Sequence, residues 1–366
     1  MKSRKSNKVL LILNLPPPYG GGEIRSKYLF DYLSNNEKYI IIPVSRIKSN
    51  KSTSGKLNIS NILFGLKINF KAIFYIIYFR PEKIYLSIPK QFNPFIKTIP
   101  IISAANLFKI KIYGELAGDS FLFLKENNYK KKLGLFFLKK ISDLRVLGPS
   151  IKKKLSPLKI TNLTVFDNGI YVPNEIKITT NSFFNPVLNL LFVGALNYSK
   201  GIKNLIESIY LLKKEEVKVH LHLMGEWSTK IQKSEILNFI NSNDLNEFIT
   251  FHGLVTTELK WEIYQKCQIL VHPTFWDGQP LVILEAMGCG LGIISTKIGA
   301  IPDTIKNKYN GIILDENTKT ELYNTIKYFY DNRQKIVEIS NNNIRTYNEK
   351  YTIDSFLMRM VNWLES

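Results

Sequence analysis

The segment FWDGQPLVILEAMGCG, residues 275–290, carries two carboxylates, Asp277 and Glu285, with seven residues between them. Asp277, Gly278 and Pro280 read as a turn that feeds a helix. There the Asp277 oxygens can accept hydrogen bonds from sugar hydroxyls, Pro280 suits the first helical position, and the N–H groups of Leu281 and Val282 can meet a phosphate. Glu285 falls on the next turn, facing the same crevice, where it can hold a ribose diol. A capping acid followed by a solvated glutamate does not fit LVILEAM, which is too apolar for an exposed face. The chemistry these residues suit is the binding of a sugar nucleotide.

Two other loops carry features that suit anions. GALNYSKGIKNLIES places Lys200 and Gly201 just before a helix. A helix start favours negative charge, so a lysine there asks for a bound anion to offset it. LPPPYGGGEIRS, residues 15–26, stiffens a strand exit with prolines, and Gly20, Gly21 and Gly22 let backbone approach a ligand where a helix begins. This loop matches neither GxGxxG nor GxxxxGK[ST], so it specifies no dinucleotide or P-loop site, and a plain turn fits its glycines equally well.

The elements that must position these loops are legible as apolar runs. Runs at residues 8–15, 39–44, 83–88, 109–116, 143–148 and 163–169 alternate with helical stretches, and the scheme repeats at 188–196, 218–225, 248–255, 267–273, 291–299 and 311–315. Continuous apolar runs of this length are what a parallel sheet covered on both faces demands. Two doubly wound α/β domains follow, with ligands outside the carboxyl ends of the strands. The polar segment VPNEIKITTNSFFNP marks a linker at 173–186, between a first domain over 1–172 and a second over 187–345. The remaining 346–366 is expected to form a C-terminal helix packing back toward the first domain.

With 45% apolar and 22% charged residues, the 366-residue chain can bury two full cores. Cys267 and Cys289 fit neither a disulfide framework nor metal spacing, and a reducing compartment is the simplest expectation. Basic residues precede the apolar run 9–13, but the run is short and no small-residue cleavage site follows, so a first buried strand is predicted rather than a signal peptide. The stretch 57–79 is apolar and aromatic, yet Lys67, Asn69 and Lys71 interrupt it short of the roughly 20 residues a span needs. No membrane span is predicted. His220, His222, His252 and His272 lie in or beside apolar strands and read as strand histidines rather than ligands or bases.

Charge is unevenly divided. Residues 1–180 hold 31 Lys and Arg against 10 Asp and Glu, a net +21, whereas residues 181–366 hold 19 against 20, a net −1. A compositional bias would act on both halves alike, so the asymmetry points to an anionic partner of the first half. The stretch 125–159 concentrates it, with eleven basic residues including Lys130, Lys131, Lys132, Lys139 and Lys140. No aromatic-basic RNP pattern, zinc spacing or recognition-helix motif accompanies the charge, which excludes nucleic acid and leaves an anionic membrane surface.

Taken together, GGGEIRSKYLF, NGI at residues 168–170, VGAL…SKGIKNLIES, FHGLV, HPTFWDGQPLVILEAMGCGLGIISTKIGAIPDTI and NGIIL come in the order and spacing of a known family. The chain resembles the retaining nucleotide-sugar glycosyltransferases of family 4, which have the GT-B fold: two Rossmann-like doubly wound parallel-sheet domains facing a central cleft. The resemblance is strongest over 188–315. It implies that Glu285, second acid of the E-x7-E motif, binds the donor ribose, that Asp277 stands at the first acid and faces the donor sugar, and that Lys200 neutralises the diphosphate. Gly21 and Gly22 would approach that diphosphate from the other domain. Further donor contacts are expected from Gly194, Gly253, Gly278, Gln279, Pro280, Leu281 and Val282. Charge on the leaving group is met by Lys200 and helix N-termini, so the donor is a nucleoside diphosphate sugar with neither metal nor cofactor, in keeping with the absence of a DxD sequence.

Three positions depart from the family pattern. Asp277 replaces the usual glutamate, Ala195 replaces a frequent basic residue, and in GELAGDSF Ala117 takes the place of the histidine that contacts the donor sugar. Glu115 and Asp119 are the candidates to cover that sugar or acceptor contact. The expected function is transfer of a sugar to a lipid-linked or cell-surface glycan precursor, as in polysaccharide, lipopolysaccharide or capsule synthesis, by a cytoplasmic enzyme peripheral on the inner face of the membrane. The alternative is a non-catalytic GT-B subunit that stabilises or targets a partner glycosyltransferase.

Overall fold

In the computed structural model of the chain, residues 6–45, 59–124, 128–176, 180–255 and 258–366 are described. Lys125 and Glu126 of the basic stretch, and residues 177–179 of the expected linker, lie outside them. The chain divides into two compact units, Met1–Asn168 with Ile353–Ser366, and Gly169–Thr352. Each of the twelve apolar runs carries one strand, and every strand pairing is parallel.

In the first unit the elements are β1 (Ser6–Asn14), α1 (Gly21–Leu33), β2 (Tyr39–Val44), α2 (Ile59–Phe79), β3 (Pro81–Ser87), α3 (Phe92–Ile96) and α4 (Ile99–Leu107). They continue with β4 (Lys111–Glu115), α5 (Tyr129–Leu138), β5 (Asp143–Val146), α6 (Pro149–Leu155) and β6 (Leu163–Val165). The sheet runs β2-β1-β3-β4-β5-β6. Val9, Leu10, Leu11, Ile12 and Leu13 of β1 are all buried because both faces of the sheet are covered.

The second unit holds β7 (Leu188–Val193), α7 (Ile202–Lys214), β8 (Val219–Met224), α8 (Lys230–Ser242), β9 (Ile249–Gly253), α9 (Glu258–Lys266) and β10 (Ile269–His272). It continues with α10 (Leu281–Cys289), β11 (Gly292–Thr296), α11 (Ile301–Thr304), β12 (Ile312–Leu314), α12 (Lys319–Asp331) and α13 (Arg333–Lys350). Its sheet runs β12-β11-β10-β7-β8-β9, so the winding reverses between β7 and β10. That reversal opens a crevice at the carboxyl ends of the two strands, where open α/β sheets take their ligands.

The C-terminal segment is two helices rather than one. The Tyr351 N–H closes α13 on Tyr347 O, and then Ile170 N–H donates to Tyr351 O while Ile170 bridges Thr352 in parallel, so the chain leaves the helix at this pair. The last helix, α14 (Ile353–Glu365), returns to the first unit. Phe356, Met360 and Trp363 join Val9, Leu11, Leu29, Tyr85 and Tyr113 in one core, and the Trp363 indole donates to Asp143 at 2.9 Å.

Candidate active site

At the β7/β10 switch point two loops meet. The loop after β7 makes a short turn in which Asn197 Oδ1 accepts from the Lys200 N–H at 3.0 Å, and Gly201 then starts α7. Gly201 has φ +79°, and a Cβ there would sit 2.0 Å from Pro273 O, so only glycine lets this loop lie against the one after β10. A Phe275 N–H to Ser199 O bond of 2.9 Å ties the two. Across the junction Lys200 Nζ pairs with Asp277 Oδ2 at 2.5 Å and donates to Trp276 O at 3.1 Å. His272 Nε2, at the end of β10, is 2.9 Å from the same Asp277 oxygen.

Asp277 and Lys200 keep side-chain exposures of 20% and 23%, while His272 is buried. Partial burial raises the Asp277 carboxyl, but the His272 hydrogen bond and the Lys200 charge outweigh it and hold the group well below the usual carboxylate range. The offsetting anion that the Lys200 position asks for is therefore Asp277 itself. His272 Nδ1 is buried with no hydrogen-bond partner among the described residues, so the ring is held by its Asp277 bond and by stacking on Phe192. The turn after Asp277 is fixed from behind: Ala300 N–H donates to Gly278 O at 2.8 Å, and Gly299, at φ +59°, leaves no room for a Cβ beside Gly278 O.

Pro280 is the N-cap of α10 rather than its first residue, so Leu281 and Val282 occupy the first two helical positions and present the N–H groups that lack intrahelical acceptors. Gln279 is buried, its Nε2 donating to Thr304 Oγ1 at 3.0 Å. Glu285 does not stand open on α10. Its carboxylate takes Lys260 Nζ at 2.7 Å and the Tyr264 hydroxyl at 2.6 Å, both from α9, and burial together with the Glu285 charge pushes the Tyr264 hydroxyl well above its usual range. Lys260 is packed over the Trp261 ring at 4.5 Å, with a side chain 18% exposed. Asp277 and Glu285 are thus held by separate cations.

The exits of β7, β8 and β9 are joined edge to edge. Gly194 N–H donates to Met224 O at 2.9 Å and Gly225 N–H to Gly253 O at 2.7 Å. Beside them a cavity of about 430 Å³ is lined by Leu196, Gly225, Trp227, Lys233, Phe251 and Gly253, with Glu226 at its wall. The Trp227 and Phe251 rings lie 5.9 Å apart, giving an aromatic slot beside the loop that also carries Lys200. His220, His222 and His252 cross β8 and β9 beneath it; His222 Nδ1 lies 3.0 Å from His252 Nε2, and burial pulls His222 down to about 4.

In the first unit Gly21 and Gly22 open α1, and a Cβ at Gly22 would meet nothing within 4 Å. Glu115 is not available to a sugar. It is completely buried, Arg25 pairs with one oxygen, Arg145 Nη1 holds the other at 2.9 Å, and the Tyr85 hydroxyl donates to that second oxygen at 2.8 Å. Asn168 Oδ1 accepts from Arg25 at 3.0 Å and Arg145 at 2.9 Å, closing the network. Asp119 is buried and taken by Lys154 at 2.6 Å. Ala117, between them, is exposed.

From the sequence alone His272 reads as a strand histidine without a site role, and Lys260, Tyr264, Trp227 and Phe251 are not singled out. A signal existed for two of them: His272 ends the strand that leads to Asp277, and Trp227 follows the glycine at the exit of β8.

Residues 180–349 match the family model of the glycosyl transferases group 1. Two uncharacterized glycosyltransferases of Methanocaldococcus jannaschii are 29% identical over 152 residues, covering 42% of this chain, and 27% identical over 267 residues, covering 68% of it. The alignments span 38% and 64% of those relatives' own lengths. The N,N'-diacetylbacillosaminyl-diphospho-undecaprenol alpha-1,3-N-acetylgalactosaminyltransferase of Campylobacter jejuni is 25% identical over 230 residues, 61% of this chain and 54% of the relative. Among solved structures, HepE of Anabaena in complex with UDP and glucose superposes with a TM-score of 0.73 at 15% identity, covering 98% of this chain and 99% of that one. Sucrose-phosphate synthase of Thermosynechococcus elongatus gives 0.77 at 13% identity, covering 97% and 98%. At these identities the likeness is one of architecture, and the two Rossmann-like units have the GT-B fold.

Proposed function

We propose that the protein is a glycosyltransferase of the family 4 type, moving a sugar from a nucleoside diphosphate donor to a lipid-linked or cell-surface glycan precursor, with retention at the anomeric carbon and without a metal. The observation that carries this reading is the Lys200–Asp277 pair spanning the β7/β10 switch point, beside an aromatic slot. In this reading the base stacks on the aromatic surface formed by Trp227 and Phe251, with Gly194 and Gly253 at the rim. Lys200 turns from Asp277 to the diphosphate, the N–H groups of Leu281 and Val282 take its oxygens, and Asp277, still held by His272, accepts from a sugar hydroxyl. Glu285 receives the ribose diol as Lys260 swings outward.

The bond from the anomeric carbon to the diphosphate oxygen breaks, and the acceptor oxygen bonds to that carbon on the face the leaving group vacates. The acceptor proton passes to the departing diphosphate. Positive charge from Lys200 and the α10 N-terminus stabilises the leaving group, the task a divalent cation performs elsewhere. The Campylobacter relative, whose name specifies a diphospho-undecaprenol acceptor, supports a lipid-linked precursor.

The test is transfer by the full chain from a panel of nucleoside diphosphate sugars to polyprenyl-diphosphate-linked sugars, with EDTA present and the anomeric configuration of the product read by NMR. Product of retained configuration is expected; inversion, or activity only after manganese or magnesium is restored, would overturn the respective part. One observation favours the second reading, a non-catalytic subunit: with Ala117 in the histidine position, neither Glu115 nor Asp119 is free to replace it. Nucleotide binding without turnover over the whole panel would select that reading.

A further inference from the structure

We propose that α2 is a membrane-docking helix, which lies on an anionic lipid bilayer with the exposed face of Leu63, Leu66, Phe70, Phe74, Ile77 and Tyr78 seated among the headgroups and upper acyl chains. These side chains recur at helical spacing and form one stripe, and Phe70 and Tyr78 are 78% and 70% exposed. The stretch Ile62–Phe79 has a mean hydropathy of 1.6, yet only 17% of it is buried. A helix this apolar in the core of a soluble domain is mostly covered. Here the opposite side alone is covered, where Asn69, Ala72 and Ile76 are buried and α2 packs on β1. That packing also argues against a span, since crossing a bilayer would strip Ala72 and Ile76 from their sheet. A helix with one packed side and one apolar exposed side fits the plane of the interface.

Charge decides what covers the stripe. On α2 itself Lys67 lies within the stripe, one turn from Leu63 and Phe70, and Lys71 at its edge, where their long stems can carry the charge out to the headgroups. Lys97 lies alongside Gly65, its Cδ 3.3 Å from where a Cβ would be. The crossovers β2 to β3, β3 to β4 and β4 to β5 all run in one direction along the sheet, and right-handed crossovers then put α2, α4 and α5 on one face. On that face α5 adds Lys130, Lys131 and Lys132, with Phe136 57% exposed between them and Lys140. An apolar stripe with lysines beside it and further lysines on the same face of the sheet complements a surface of lipid phosphates. It does not suit a second copy of this chain, because protein interfaces are poor in lysine and two faces with this excess charge repel each other. The inference rests on the first unit and not on the donor chemistry assigned to the second, so either can fail alone.

The test is flotation of the full chain with vesicles of phosphatidylglycerol and phosphatidylcholine, and with vesicles of phosphatidylcholine alone. Wild type is expected to float with the first far more than with the second. Phe70→Ser/Phe74→Ser/Tyr78→Ser should lower the partition about tenfold or more, with the thermal midpoint unchanged because none of the three side chains is in the core. Lys67→Gln/Lys71→Gln/Lys130→Gln/Lys131→Gln/Lys132→Gln should lower it and remove its salt dependence. Phe74→Trp gives a reading that does not depend on a loss: the added indole fluorescence should be quenched by brominated acyl chains. Flotation of the triple serine variant equal to wild type, or no quenching of the added indole in the Phe74→Trp protein, would overturn the proposal. So would a wild type that never floats but loses an oligomeric state in the serine variant, which would give the face to a second copy.

Discussion

Glu115 and Asp277 are both acids at or just beyond the end of a parallel strand, and each meets two nitrogen-bearing side chains. They come to opposite ends. Glu115 meets two arginines, which pair with both carboxylate oxygens; the Tyr85 hydroxyl donates to one of those oxygens, and Asn168 Oδ1 accepts from both guanidiniums, so the buried carboxylate is already taken. Burial draws its carboxyl upward, and the two guanidiniums overcome this and keep it ionised. Asp277 meets a lysine and a histidine at a partly open junction, all through one oxygen. A lysine is a point charge on a flexible stem that can leave one anion for another, which an interlocked guanidinium cannot do. The difference separates an acid that holds a unit together from an acid that, in the proposed reading, holds a cation ready.

The comparison can be broken most forcefully from the structural side. Arg145→Ala leaves Glu115 buried with one guanidinium and should cost about 3–5 kcal/mol of stability in denaturant unfolding. A loss below about 1 kcal/mol would mean that the Glu115 network is as open as the Asp277 one. On the other side, Lys200→Ala should slow sugar transfer by about 2–4 kcal/mol, roughly 30-fold to 1000-fold in kcat/KM, while barely moving the unfolding midpoint, since partly exposed pairs contribute little to stability. Equal turnover in wild type and Lys200→Ala would end the assignment of that lysine.

Glu285 falls between the two, buried yet facing a lysine. Glu285→Gln keeps an acceptor for Tyr264 but removes the charge opposite Lys260, and a stability loss of about 1–3 kcal/mol is expected, with weaker donor binding measured by calorimetry. Loss of stability without loss of binding would move Glu285 to the structural class. The smallest effect concerns pH. Because the folded Asp277 carboxyl lies below its unfolded value, its contribution is complete above about pH 4 and is lost as pH falls through the folded value. The stability difference between wild type and Asp277→Asn should therefore be flat at neutral pH and shrink only in strong acid; a difference that shrank near pH 6 would show that the His272 and Lys200 contacts do not hold the carboxylate.

The fold was legible because strands buried on both faces leave unbroken apolar runs, and all twelve became strands. The Lys200 and Asp277 signals were legible separately. Their pairing was not, since it depends on β7 lying beside β10, a neighbour relation that chain order hides. Glu285 was visible as an acid in an apolar helix, but ELKWEIYQK does not reveal that Lys260 and Tyr264 face it. Glu115 read as a sugar contact because Arg25, Arg145 and Asn168, up to 143 residues apart, converge only in the fold. In α2, Lys67, Asn69 and Lys71 interrupted the apolar stretch and argued against a span, and only burial distinguished a surface helix from a core one.

The central claim, that Lys200 and the Trp227 slot form one nucleotide site, is tested most directly by calorimetric titration of nucleosides and their diphosphates into wild type, Lys200→Ala and Trp227→Ala. The account predicts that at least one diphosphate binds wild type, that Lys200→Ala weakens the diphosphate by about tenfold or more while leaving its nucleoside unchanged, and that Trp227→Ala weakens both. A diphosphate bound equally by wild type and Lys200→Ala, or no binding of any diphosphate to wild type, would contradict it.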